Sequence, residues 1–171
     1  MFCIPFCNIL VYNSILYRDE EKIQKLCKKL DFSIFHNEDI RYVSLGQFNK
    51  ELVEFILDKK PEFKGRLKEN VDILFWRARV KHTRNHKNDF VNEEEFKKCV
   101  EDIPLIIQNP DYISIHPKDE SISFIKQYTE KVSVAIKVSA NGQLVYRTMY
   151  PLDEYQLKNY MNNGRAWKYS K

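Results

Sequence analysis

Glycine is scarce in this chain, with four in 171 residues. Backbone cradles for nucleotide phosphates are built from glycine, and neither a P-loop pattern nor a G-x-G-x-x-G is present. That sets aside the usual nucleotide and dinucleotide enzymes. Cysteine is scarce too. Cys3, Cys7, Cys27 and Cys99 have no framework spacing, and the C-x-x-x-C of Cys3 and Cys7 sits in an apolar run without further ligands nearby. Free buried thiols in a reducing compartment are the expectation, hence a cytoplasmic protein with neither a metal nor a cofactor. Long uninterrupted apolar runs are absent. Residues 1–17 carry no charge, but Pro5, Asn8, Asn13 and Ser14 interrupt them. They lack the basic start and small-residue cleavage site of a secretory signal, and they are short for a span. A buried strand pair is expected there, and no membrane as partner. Internal repeats and low-complexity segments are also missing.

What is present is a core and a localised positive charge. Hydrophobic residues make up 43% and aromatics 13%, enough for one domain or for a small unit joined to one of about 100 residues. The net charge is only +4. Its distribution says more. Arg77, Arg79, Lys81, Arg84 and Lys87 follow one another with no acid between them, and residues 130–171 alone carry +4. A polyanion footprint on the C-terminal part follows, with Arg165, Trp167 and Lys168 of the tail joining the five residues of the cluster as candidate RNA contacts. Trp167 is placed either to stack a base or to cap the core.

Periodicity organises the chain. Residues 19–30 read as a helix, 32–36 (FSIFH) as a strand, 40–45 as its returning partner and 47–58 as a second helix. These form a small α+β unit over residues 1–68 without evident chemistry. A second unit occupies 69–171. It opens with a strand at VDILF and continues through the basic cluster to Asn92, a helix cap with three glutamates behind it. The short helix IPLIIQ follows. Three strands come next, SISFIKQY, VSVAIKV and LVYRTMY, the last two joined by an Asn-Gly turn. Residues 153–162 close the unit as a helix with Gly164 at its end.

Two histidines, a lysine, an arginine, a threonine and a tyrosine are distributed over these elements. Such groups suit RNA cleavage without metal. A base takes the 2′-hydroxyl proton, an acid protonates the leaving oxygen, and cations and hydroxyls steady the phosphorane. His82 and His86 lie four apart and share a face if their segment is helical. That spacing fits an acid/base pair, a phosphate contact, or two surface histidines in a basic turn. Lys126 shares a strand face with Ile122 and Phe124, so it marks either the wet end of the strand or a functional group. Strict alternation sets Arg147 and Thr148 on opposite faces unless a bulge intervenes, and groups Tyr146, Thr148 and Tyr150 on one stripe. Thr148 and Tyr150 are then favoured over Arg147. Lys137 reads as solvent-facing.

The run KHTRNH, IPLIIQNPDYI, SISFIK, VSVAIKV and RTMYP resembles phage-associated nucleases of the barnase–EndoU–colicin E5/D–RelE-like superfamily, over about residues 71–161. The order of the motifs carries the resemblance. It implies an α+β fold with helices packed on a four-stranded antiparallel sheet, and a cleft on the exposed sheet face where RNA is cut. It also implies a role as a phage or mobile-element toxin. By the same resemblance His82 and His86 fall at the family's histidine motif, Lys126 at a first-strand lysine, and Thr148 and Tyr150 in a stretch with a small hydroxyl residue and a tyrosine. Arg147 stands where a small residue is more usual. The expectation is an endoribonuclease that leaves a 2′,3′-cyclic phosphate, with His86 and His82 as acid and base in either order and Lys126, Thr148, Tyr150 and Arg147 around the phosphate. Its partners would be RNA and a cognate inhibitor protein. The alternative is an inactive RNA- or protein-binding regulator on the same fold.

Overall fold

A computed structural model describes residues 29–118 and 120–169. The expected strand pair in residues 1–17 and most of the expected helix at 19–30 lie outside the described residues. Segment FSIF is not a strand. It is a 3-10 turn, Phe32–Phe35, because the Asp31 carboxylate accepts from Ser33 N at 3.0 Å and bends the backbone before it can extend. Strand β1, Tyr42–Gln47, therefore has no partner there and pairs antiparallel with β2, Asp72–Trp76. Between them runs α1, Lys50–Lys59, which starts where the Asn49 side chain accepts from Leu52 N at 2.8 Å and buries Leu52, Val53 and Ile56.

After β2 come α2, Val80–Asn85, and α3, Glu93–Glu101, the latter capped by Asn92 with three glutamates at its positive end. Helix α4, Ile103–Gln108, has Pro104 in its first turn and buries Ile103 through Ile107. A helix this apolar on every side belongs inside. Strands β3, Tyr112–Ile115, β4, Ser121–Gln127, β5, Lys131–Val138, and β6, Leu144–Leu152, form an antiparallel run. Helix α5, Glu154–Asn162, and the short β7, Ala166–Lys168, follow.

The fold is α+β, but its sheet has seven strands in the order β1-β2-β6-β5-β4-β3-β7, not four. Its middle is an antiparallel run of four, β6-β5-β4-β3, of which β4, β5 and β6 were expected as strands and β3 was not. The tail adds β7 to one edge, and β2 joins the other edge parallel to β6, bringing β1 with it. The expected boundary at 68/69 falls in the connector between α1 and β2. Strands from either side of it are hydrogen-bonded, and one core runs from Leu30 to Tyr169. Arg66 locks the connector to the later half by a bidentate pair with Glu120 at 2.8 Å.

One face of the sheet carries the large apolar residues, among them Phe75, Phe124, Val134, Tyr146 and Met149, all at 0% exposure beneath the helices. The other face carries small and polar residues, including Ser121, Ser123, Ser133, Ala135 and Thr148. Helix α5 covers one end of this second face by packing Leu157 among Ile125, Leu152 and Ala166.

Candidate active site

The second face and α2 meet beside β6. Strand β2 pairs with β6 only at Ile73–Leu144 and Leu74–Val145, and α2 follows once the chain has left the ladder. Thr83 pins it there. Its hydroxyl donates to the Arg79 carbonyl at 2.9 Å and lies 3.0 Å from the Tyr146 hydroxyl, and both side chains are wholly buried. Tyr146 in turn stacks on Phe75 with centroids 4.4 Å apart. So anchored, the helix brings His82 and its C-terminal cap His86 to the rim of the second face.

The two imidazoles meet edge to face at 5.1 Å, and the His86 ring lies 6.3 Å from that of Tyr150. His86 Nδ1 is 2.7 Å from a carboxylate oxygen of Asp89, in the 3-10 turn Lys87–Asp89. A carboxylate only accepts, so Nδ1 carries a proton and Nε2 is the ring nitrogen turned away from Asp89. His82 titrates below the ordinary histidine value. Desolvation is the first cause, followed by the positive charges of His86, Arg79 and Arg147. Both causes favour the neutral ring.

Arg147 reaches this group through a bulge. Ala135 pairs with Thr148 and Ile136 with Tyr146, leaving Arg147 as an extra residue in β6. The insertion resets the alternation. Arg147 and Thr148 are freed from opposite faces, and the expected Tyr146–Thr148–Tyr150 stripe is broken. Tyr146 goes into the core, while Thr148 and Tyr150 stay on the second face opposite Ala135 and Ser133. Arg147 donates to Ser121 Oγ at 3.3 Å across that face. Thr148 Oγ1 and Ser133 Oγ are buried there without hydrogen-bond partners. Buried hydroxyls are ordinarily satisfied, so two unfilled ones on one floor mark a place where a polar ligand or water completes the site.

Lys126 is not part of this cluster. It pairs with Val132 on the helix-covered face, donates to the Asn109 carbonyl at 2.9 Å and lies 3.9 Å from Asp111. There it lines a cleft of about 480 Å³ with Lys98, Asp102 and Tyr128. The expected RNA contacts divide as well. Arg77 binds the carbonyls of Ile34 and Asn37 and pairs with Glu38, and Arg84 donates to the Phe35 carbonyl at 2.6 Å. Arg77 holds this region to the end of β2, and Arg84 holds it to the last turn of α2. Lys87 is paired with Glu93 at 2.8 Å. Arg79 is near enough to act on His82, and Lys81 is exposed. In the tail, Arg165 lies over the Tyr160 ring at 4.8 Å, Trp167 packs against the core opposite Ile113, and Lys168 is exposed at the sheet edge. Trp167 is therefore a core cap.

Asp89, Ser121, Ser133 and Thr83 were not singled out from the sequence. Asp89 had a signal, an acid three residues after a histidine at a helix end. The serines had none, since register alone makes them neighbours. Among the described residues no group of three His, Cys, Asp or Glu side chains is arranged to hold a metal ion, and no helix is long and apolar enough to cross a membrane.

A family model described as phage-Barnase-EndoU-ColicinE5/D-RelE like nuclease3 matches residues 54–159. No curated protein and no solved structure matches the chain.

Proposed function

The chain belongs to the phage-Barnase-EndoU-ColicinE5/D-RelE like nuclease family, and from that membership we propose that it cleaves RNA without a metal ion, by attack of a 2′-hydroxyl on the adjacent phosphorus. The observation that carries the reading is the meeting of two histidines in different surroundings with Arg147 and Tyr150 on one sheet face. Pairs of titratable groups in unlike environments are how one site supplies both an acid and a base.

His82, kept neutral, is the base that takes the 2′-hydroxyl proton. His86, oriented through Nδ1 by Asp89, is the acid that protonates the leaving 5′-oxygen, with Asp89 as counter-charge while the ring carries its second proton. The new P–O bond forms as the P–O5′ bond breaks, leaving a 2′,3′-cyclic phosphate and a free 5′-hydroxyl. Arg147 takes the place first expected for Lys126 and neutralises charge on the phosphorane. Thr148, Tyr150 and Ser133 supply hydroxyls to the phosphate or sugar. The role proposed from the family is that of a phage or mobile-element toxin, with a cognate inhibitor covering this face.

The test is incubation with total RNA, and with a DNA control, in EDTA. Cleavage of RNA alone, with cyclic phosphate ends, is expected. Intact RNA at high protein concentration, or cleavage only on adding a divalent metal, refutes the mechanism. Binding without cleavage would instead support the inactive-regulator reading.

A further inference from the structure

Large aromatic side chains are rarely left in water in pairs, and the described residues include one such pair on the strands next to β6. Tyr42 and Trp76 face each other across β1 and β2, 51% and 38% exposed, with ring centroids 5.0 Å apart and planes at 53°. Single exposed aromatics need no explanation. The position of this pair does. Leu74 pairs in parallel with Val145, so Trp76, two residues on, lies past the last pair in the direction in which β6 runs on to Arg147. Alternation puts Trp76 on the face of Leu74 and Val145, which is the face bearing Thr148 and Tyr150. Arg79 ends the turn that follows Trp76, and Arg79 and Arg147 both lie close enough to His82 to lower its pKa.

We propose that Trp76, supported by Tyr42, is a stacking subsite for an unpaired nucleobase of a single-stranded nucleic acid whose backbone runs past Arg147. The proposal deepens the nuclease reading and rests on it for the direction of the strand. A base in a duplex has both faces covered by its neighbours, whereas an unpaired base offers a π-face to an aromatic ring regardless of sequence. The cationic surroundings suit a polyanion and argue against a second copy of this chain, which would bring the same positive charges to the same place. The subsite therefore selects strandedness rather than sequence.

The experiment uses the full chain with Trp167→Phe, so that Trp76 is the only tryptophan, and a mixed-sequence deoxyoligonucleotide of about eight residues. Lacking 2′-hydroxyls, that probe is not cut. Saturating oligonucleotide should quench Trp76 emission. Trp76→Ala should weaken single-strand binding by about 5- to 150-fold, the range for loss of one stacked base. Trp76→Phe should recover most of that affinity, and binding of the matched duplex should change little. Emission unmoved at saturation, or single-strand affinity unchanged in Trp76→Ala, overturns the proposal. So does a concentration-dependent dimer that Trp76→Ala dissociates, which would make the pair an interface between copies. Unchanged Trp76→Ala binding with cleavage intact sinks the subsite alone. Stacking with no cleavage of RNA sinks the catalytic reading and leaves the subsite standing.

Discussion

Replacing Asp89 by Asn tests whether the His86 ring is held by a charge. The Asn side chain keeps an oxygen that can accept from Nδ1, so the contact survives and the charge goes. The pair is 2.7 Å long, with the histidine side chain 25% exposed and the aspartate 53%. Exposed ion pairs contribute about 0.2–1 kcal/mol, while hydrogen bonds to a charged group in shielded sites reach about 1.5–3 kcal/mol. With one partner half in water the lower range governs. A loss near 1 kcal/mol predicts a single-turnover rate about 5-fold lower in Asp89→Asn. His86→Ala removes the acid itself and should cost about 100-fold or more. Because Asp89 acts only through His86, the two losses do not add, and Asp89→Asn should have no effect in the His86→Ala background. Nitrogen-15 NMR of the imidazole supplies a readout that a purely structural role would not move. The parent should show Nδ1–H as the neutral tautomer, and Asp89→Asn should shift population toward Nε2–H. An unchanged rate with an unchanged tautomer, or a further 5-fold loss in the double variant, refutes the assignment.

Arg147→Ala should raise the His82 titration midpoint, since Arg147 is one of the positive charges lowering it. NMR titration of the ring checks this, and a midpoint that stays or falls rules out the contact. The sign for stability follows. A histidine depressed on folding contributes stability that is whole above the unfolded value near 6.5 and is lost as pH falls through the folded value. Arg77→Ala and Arg84→Ala should lower Tm rather than flatten the salt dependence of RNA binding, because Arg77 holds the carbonyls of Ile34 and Asn37 and Arg84 holds that of Phe35. A slope lowered by about 0.7 per residue on single strands, with Tm unchanged, would return them to the phosphate contacts. Gly142→Ala should cost about 1–3 kcal/mol of stability by chemical denaturation, since φ is +84° and a Cβ would stand 2.9 Å from the Arg66 carbonyl oxygen. A loss under about 0.5 kcal/mol would mean that the hairpin moves aside.

The elements that announce themselves by cap and period were legible. Asn49 and Asn92 begin their helices, Pro104 opens the next, and the run from SISFIK to RTMYP alternates as strands do. The histidine spacing was legible as well, because α2 is helical where the spacing required it. What escaped was settled by distant partners. FSIF has the composition of a strand, and one carboxylate turns it. Lys126 and Thr148 looked alike as polar residues in apolar strands. Only the register, with one inserted residue at Arg147, sends them to opposite faces. Arg77 and Arg84 looked like any basic cluster, and their carbonyl partners lie more than forty residues earlier. Net charge counts such residues equally, whether they are free in solution or already committed to the fold.

Strand β6 lies between β2 and β5, and Ile73 waits for Leu144, some seventy positions later. Non-local pairing of this kind slows folding, because the chain must close a large loop before the contact forms. On a ribosome the β1–β2 ribbon and the β3–β4–β5 meander emerge first, as two pieces with open edges. Helix α2 then carries both histidines but has no Tyr146 to seat Thr83, and neither Arg147 nor Tyr150 exists yet. Insertion of one strand joins the halves and assembles the site in the same event. For a chain of a nuclease family, the topology hangs the whole candidate site on one late pairing, which the nascent chain cannot make until β6 has emerged.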